Sequence, residues 1–156
     1  MKKVTRWFAI ALLIFSMMGC GMKNKDNTIV KIEYMIESGP ILTALQANEQ
    51  YVVSRDGVAW SKEGRTDGKQ VAEGAGEFEV EMEKIDALFD QLQHFKCSTA
   101  ERVEPQDEPD GGFSESFVFH YNSGDICYLY YTPGVRYQYA EQAVQSIREF
   151  VYSLRW

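Results

Sequence analysis

Polar and apolar residues alternate with period two in several stretches and with a helical period in two others. In "TIVKIEYMIES" (28–38), Ile32, Tyr34 and Ile36 share one face, and the β-branched content predicts a strand that Gly39-Pro40 ends. "YVVSRDGVAWSK" (51–62) predicts a hairpin centred on Asp56-Gly57, a type I′ signal because both central residues need positive φ. That register sets Val53 opposite Trp60 and Tyr51 opposite Lys62. Asp67-Gly68 marks a further turn, and "ILTALQA" (41–47) is ambiguous. "GEFEVEME" (76–83) alternates strictly. It predicts a strand with Phe78, Val80 and Met82 inward and Glu77, Glu79, Glu81 and Glu83 as a solvated outer row.

The period then changes. In "KIDALFDQLQHF" (84–95), Ile85, Leu88, Phe89 and Leu92 form one helical stripe with Phe95 at its end. Residues 96–112, with two prolines and two glycines, read as a loop. "FSESFVFHYNSGDICYLYYTPG" (113–134) predicts a second hairpin around Ser123-Gly124. A closing helix over 137–155 lines up Ala140, Val144, Ile147, Val151 and Leu154, with Tyr137 extending the stripe. Strands, helix, strands and helix predict an α+β fold: an antiparallel sheet of hairpins with two helices packed on one face.

The N-terminus follows a different logic. Lys2, Lys3 and Arg6 precede an uncharged run from Trp7 to Met18. As a helix this run would be about 18 Å long, too short for a hydrocarbon core of about 30 Å but suited to the core of a signal peptide. The run ends in Met17-Met18-Gly19-Cys20. This boundary resembles the lipobox of bacterial lipoproteins. The resemblance implies cleavage before Cys20, a diacylglyceryl thioether on Cys20 and an acylated new N-terminus. An uncleaved anchor helix or an ordinary secreted protein would be the alternatives. The expected organisation is a signal peptide over 1–19, lipidated cysteine and flexible tether over 20–27, and one α+β domain over 28–156.

Removing the first 19 residues changes the charge balance. It leaves 137 of 156 residues and takes away three cations and no anion. The remainder has 13 Lys and Arg against 23 Asp and Glu, a formal charge of −10. No basic patch is present to neutralise phosphates, so nucleic-acid binding is not expected. Attachment to the membrane is expected through lipid on Cys20, and a basic protein partner would be favoured electrostatically.

With Cys20 lipidated, Cys97 and Cys127 remain. In an exported chain they could form a disulfide or stay as separate thiols. His120 would lie opposite Cys127 across a two- or four-residue loop, or opposite Tyr128 across a three-residue loop. A Cys–His pair can make a thiolate nucleophile, but no third group accompanies it. His94 falls near a helix end, where it could meet the last carbonyls. Two histidines and two cysteines at no metal-ligand spacing argue against zinc. Asp107, Glu108 and Asp110 lie beside two glycines, but not at EF-hand spacing, and read as a solvated turn. No phosphate loop, G-x-S-x-G or dinucleotide fingerprint occurs, so no metal, cofactor or catalytic residue is expected.

Residues 51–155 also resemble an uncharacterised class of small bacterial envelope domains. The shared outline is "YVVSRDGVAW", "IDALFDQLQHF", "DEPDGG", "FVFHYNSGDICYLYY" and a closing helix. Together the two resemblances imply a lipid-anchored lipoprotein on the cell membrane or outer membrane, its domain outside the cytoplasm. It would act as a non-catalytic binding or accessory module. The alternative is a small envelope hydrolase with a carboxylate-based site.

Overall fold

The computed structural model describes residues 27–39, 46–66, 69–107 and 111–155. Cys20, the N-terminal run, the tether up to residue 26, most of 41–47, the Asp67-Gly68 turn, Glu108 and Asp110 lie outside the described residues. The strands are β1 (Ile29–Ser38), β2 (Ala47–Ser54), β3 (Gly57–Thr66), β4 (Lys69–Phe78), β5 (Glu101–Val103), β6 (Phe113–Tyr121), β7 (Ile126–Tyr131) and β8 (Arg136–Gln138). The helices are α1 (Met82–Leu92) and α2 (Glu141–Leu154), with a short 3-10 turn at Cys97–Thr99. The fold is α+β and mostly antiparallel sheet. Six strands run in the order β4-β3-β2-β1-β6-β7, and β5 pairs separately with β8.

The helical stripes enter the core as their periods predict. Ile85, Leu88, Phe89 and Leu92 of α1 are buried, as are Val144, Ile147 and Val151 of α2. They join Ile32, Val53, Phe117 and Phe119 from the sheet in one cluster. Helix α1 packs on α2 and β1, and α2 also touches β8. A row of rings crosses the same side of the sheet. Phe117 stacks on Tyr34 at 4.7 Å, Tyr34 on Tyr51 at 6.1 Å, and Tyr51 on Phe78 at 6.4 Å.

Four expectations are corrected. The first turn occupies Arg55-Asp56, so Val53 faces Val58 and Tyr51 faces Trp60. Tyr139 is the one described non-glycine residue with positive φ, so Asp56 does not adopt the type I′ geometry. The Ser54 hydroxyl shapes the turn instead, accepting from the Asp56 N–H at 3.2 Å. The register moves by two, so every side chain keeps its face.

The strand expected over 76–83 lies earlier, at Lys69–Phe78. Val58 pairs with Phe78 next to the start of β3, so residues beyond Phe78 have almost no strand left to pair with. The chain turns into α1, where Lys84 N–H donates to Glu81 O at 3.0 Å. Glu79, Glu81 and Glu83 are exposed but form no strand row. Strand β4 carries Gly74, in the part the pattern missed, and Gly76 because Trp60 lies over them. An added Cβ at either would sit 3.1 Å from the indole.

The interval 96–112 holds β5, which pairs with β8 through Arg102 opposite Tyr137. Tyr137 is therefore a buried strand residue and not a helical one. Tyr139 at φ 64 separates β8 from α2.

The last correction concerns His120. The loop is Asn122-Ser123-Gly124, with Tyr121 N–H donating to Asp125 O at 2.9 Å and Gly124 at φ 93. A glycine in this conformation at the third loop position is what a three-residue hairpin turn requires. Phe119 therefore opposes Cys127, and His120 opposes Ile126.

Candidate functional site

Strand alternation sends one set of side chains to the core and the other to the opposite face of the sheet. That second face has two characters. At one end, four polar side chains pair across adjacent strands: Glu63 of β3 opposite Asn48 of β2, Asn48 opposite Glu37 of β1, and Glu37 opposite Ser114 of β6. With Arg65 and Tyr130 they line a depression of about 420 Å³. Arg65 Nη1 donates to Gln46 Oε1 at 2.8 Å in its wall. The Ser38 hydroxyl ties the end of β1 to the start of β2, donating to Ala47 O at 2.6 Å and accepting from Ala47 N–H at 2.7 Å.

The second character is aromatic. Tyr130 stacks with Tyr128, ring centroids 6.2 Å apart and planes 10° from parallel. Tyr128 is 59% exposed and Ile126 63% exposed, so the outward side chains of β7 form a ring-bearing strip that begins in the depression. The strand does not shed these side chains into the core, because Cys127, Leu129 and Tyr131 already fill the inward positions. The backbone at Tyr130 is fixed: its N–H donates to the Tyr137 hydroxyl at 3.2 Å, and its carbonyl accepts from Arg102 at 3.3 Å.

Further along this face, Glu33 lies between Lys31 Nζ at 2.7 Å and His120 Nε2 at 2.8 Å. The hydrogen bond and charge of Lys31, aided by His120, hold the Glu33 carboxyl below its ordinary value of 4.5 despite some desolvation. The unfolded chain therefore binds more protons here than the folded one, and stability rises with pH. The contribution is present above the ordinary carboxylate value and is lost as pH falls through the depressed one. Glu33→Gln is expected to flatten the stability curve on its acid side by less than about 1 kcal/mol, as measured by urea unfolding at pH steps below 5. An unchanged acid limb would remove this role.

On the core side, the Glu115 carboxylate is buried and accepts from the Tyr34 hydroxyl and from both Nε and Nη2 of Arg148, the Nε contact being 3.1 Å. The Arg148 guanidinium also lies 5.5 Å over Phe117 and 5.3 Å over Tyr131. Burial, with the hydrogen bond to and charge of Glu115, raises the Tyr34 phenol above its ordinary value, so it remains a donor. About two helical turns on, just past the end of α2, Arg155 makes a related arrangement. Its Nε donates to the Tyr51 hydroxyl at 2.9 Å, and that hydroxyl donates to Glu49 at 3.0 Å. These groups are mutually satisfied and tie α2 to the sheet.

The residues singled out from the sequence fall as follows. Cys97 and Cys127 come together in a disulfide with Cα atoms 5.7 Å apart. Cys127 points into the core and His120 to the other face, so they form no nucleophilic pair. His94 is exposed in the turn after α1, and Asp107 is exposed in the link to β6. Among the described residues, no three His, Cys, Asp or Glu side chains converge as a metal cluster. No helix among them is long and apolar enough to cross a membrane.

The polar row and the Tyr128–Tyr130 pair were not visible as a site in sequence. Tyrosines two apart in "ICYLYY" were the one available signal. No family model, curated protein or solved structure matches the chain.

Proposed function

We propose that this chain is a lipid-anchored lipoprotein of the bacterial cell envelope whose domain binds a partner without catalysis. Lipid on Cys20 would hold it at the cell membrane or outer membrane, with the domain outside the cytoplasm. In this reading the helices cover one face of a sheet built from hairpins and leave the other free for a ligand. The observation that carries the binding role is the outward Tyr128–Tyr130 pair running into a polar depression. Exposed aromatic rings continuous with hydrogen-bonding groups are costly to leave in water and useful for recognition.

The lipobox-like Met17-Met18-Gly19-Cys20 and the short apolar run before it support the anchor. The start of the folded domain fits a tether: Asn122 N–H donates to Thr28 O at 2.9 Å, and the Ser123 hydroxyl donates to Asn27 at 2.7 Å. These bonds pin the chain at one end of the sheet. Metabolic labelling with a fatty-acid probe tests the anchor. Wild type is expected to take up label and Cys20→Ser to lose it. An unlabelled wild type, or equal label on both, would sink the proposal.

A further inference from the structure

We infer that the polar depression at the end of β1 is a glycan-binding subsite that takes an uncharged polysaccharide strand met outside the membrane. This deepens the binding role proposed above and takes the outward-facing placement of the domain from it.

The chemistry of the lining selects the ligand class. Glu37, Asn48, Glu63, Arg65 and Ser114 present carboxylates, a carboxamide, a guanidinium and a hydroxyl on one surface. Adjacent sugar hydroxyls each donate and accept, and planar groups with two polar atoms can meet two neighbouring hydroxyls at once. Tyr130 supplies an aromatic wall, and Tyr128 continues it as a parallel ring. The C–H face of a sugar ring carries slight positive charge and fits the negative face of such rings. An acyl chain would strand the polar row without partners. A polyanion would meet Glu37, Glu63 and a domain with a formal charge of −10 once the signal is removed. A neutral chain with both donors and acceptors suits this surface best.

The position of the depression fits the same ligand. Strand β1 starts at Ile29, one residue after the pinned Thr28, and ends at Ser38 in the depression wall. Nine steps of strand span about 30 Å. The depression therefore lies at the end of β1 farthest from the tether, where a polysaccharide outside the membrane can reach it.

The test uses the full chain in detergent and co-sedimentation with an insoluble uncharged polysaccharide, chitin (poly-N-acetylglucosamine). Saturable retention is expected, about tenfold weaker for Tyr130→Ala and severalfold weaker for Asn48→Ala. Tyr130→Phe should bind as wild type, because the ring is kept. Tyr139→Ala, exposed beyond β8, should also bind as wild type. A thermal midpoint for each variant separates lost binding from lost folding, and Asn48→Ala carries the test if Tyr130→Ala does not fold.

No retention, or equal retention by wild type and both alanine variants, would overturn the inference. So would retention abolished by about 0.5 M salt, where charges are screened beyond a few ångströms, together with capture of a basic protein at low salt. That result would assign the face to an ionic protein partner. Cys20→Ser is expected to bind glycan as wild type does. A wild type that binds glycan but takes up no fatty-acid label would remove the anchor alone, and a labelled wild type that binds no glycan would remove the subsite alone.

Discussion

Glu115→Ala is expected to destabilise the folded domain by about 3 kcal/mol. Glu115 is 7% exposed, and its carboxylate serves three donors from two elements: Tyr34 on β1 and two nitrogens of Arg148 on α2. Removing it leaves a guanidinium over two rings and a buried phenol without an acceptor. The cost is that of unpaired groups, which exceeds the net worth of the pair. The Arg148 side chain is 32% exposed, so it can recover some water, which keeps the loss nearer 3 than 5 kcal/mol.

Glu115→Gln keeps an acceptor for Tyr34 and should cost about half as much. The double replacement Glu115→Leu with Arg148→Met should recover most of the loss, because no charge is then left buried. Urea unfolding midpoints of the three variants check this order. A loss under about 1 kcal/mol for Glu115→Ala would mean that the network behaves as an exposed ion pair.

Cys97→Ala is expected to lower stability by about 3–4 kcal/mol under non-reducing conditions. The bridge closes a loop of sequence separation 30 that contains β5, the acidic link and β6. It fastens β7, which lies at one edge of the six-stranded sheet, to the turn that follows α1. Cys97 is the better position to change, because it is half-buried while Cys127 is packed in the core. Dithiothreitol should lower the unfolding midpoint of wild type toward that of Cys97→Ala and leave the variant unchanged. Equal midpoints without reductant, or two alkylated cysteines in protein from its native source, would show that the sulfurs are not joined.

Much of the interior was legible from the chain. Ile85, Leu88, Phe89 and Leu92 declare a helical stripe because turns of helix return every 3.6 residues whatever surrounds them. Ile32 and Tyr34 declare the inner face of β1 for the corresponding reason in a strand. The early part of β4 was not legible. "KQVAEGA" has little strand propensity, and it pairs because the free edge of β3 and the indole of Trp60 are there to receive it. Strand β5 was hidden in a proline-containing stretch for the same reason, since its partner β8 lies more than thirty residues away.

The candidate site was less legible than the core. The identity of its residues was plain, but their company was not. The chain by itself determined the two helical stripes, the inner faces of β1 and of the hairpin strands, and the acidity of the part that folds, because each depends on composition and local period. The tertiary structure decided that Glu63, Asn48, Glu37 and Ser114 form one row, that Tyr130 ends beside it, and that His120 and Cys127 face apart. Register is set by turn geometry and by strand partners distant in sequence. A one-residue change in a loop sends a side chain to the other face.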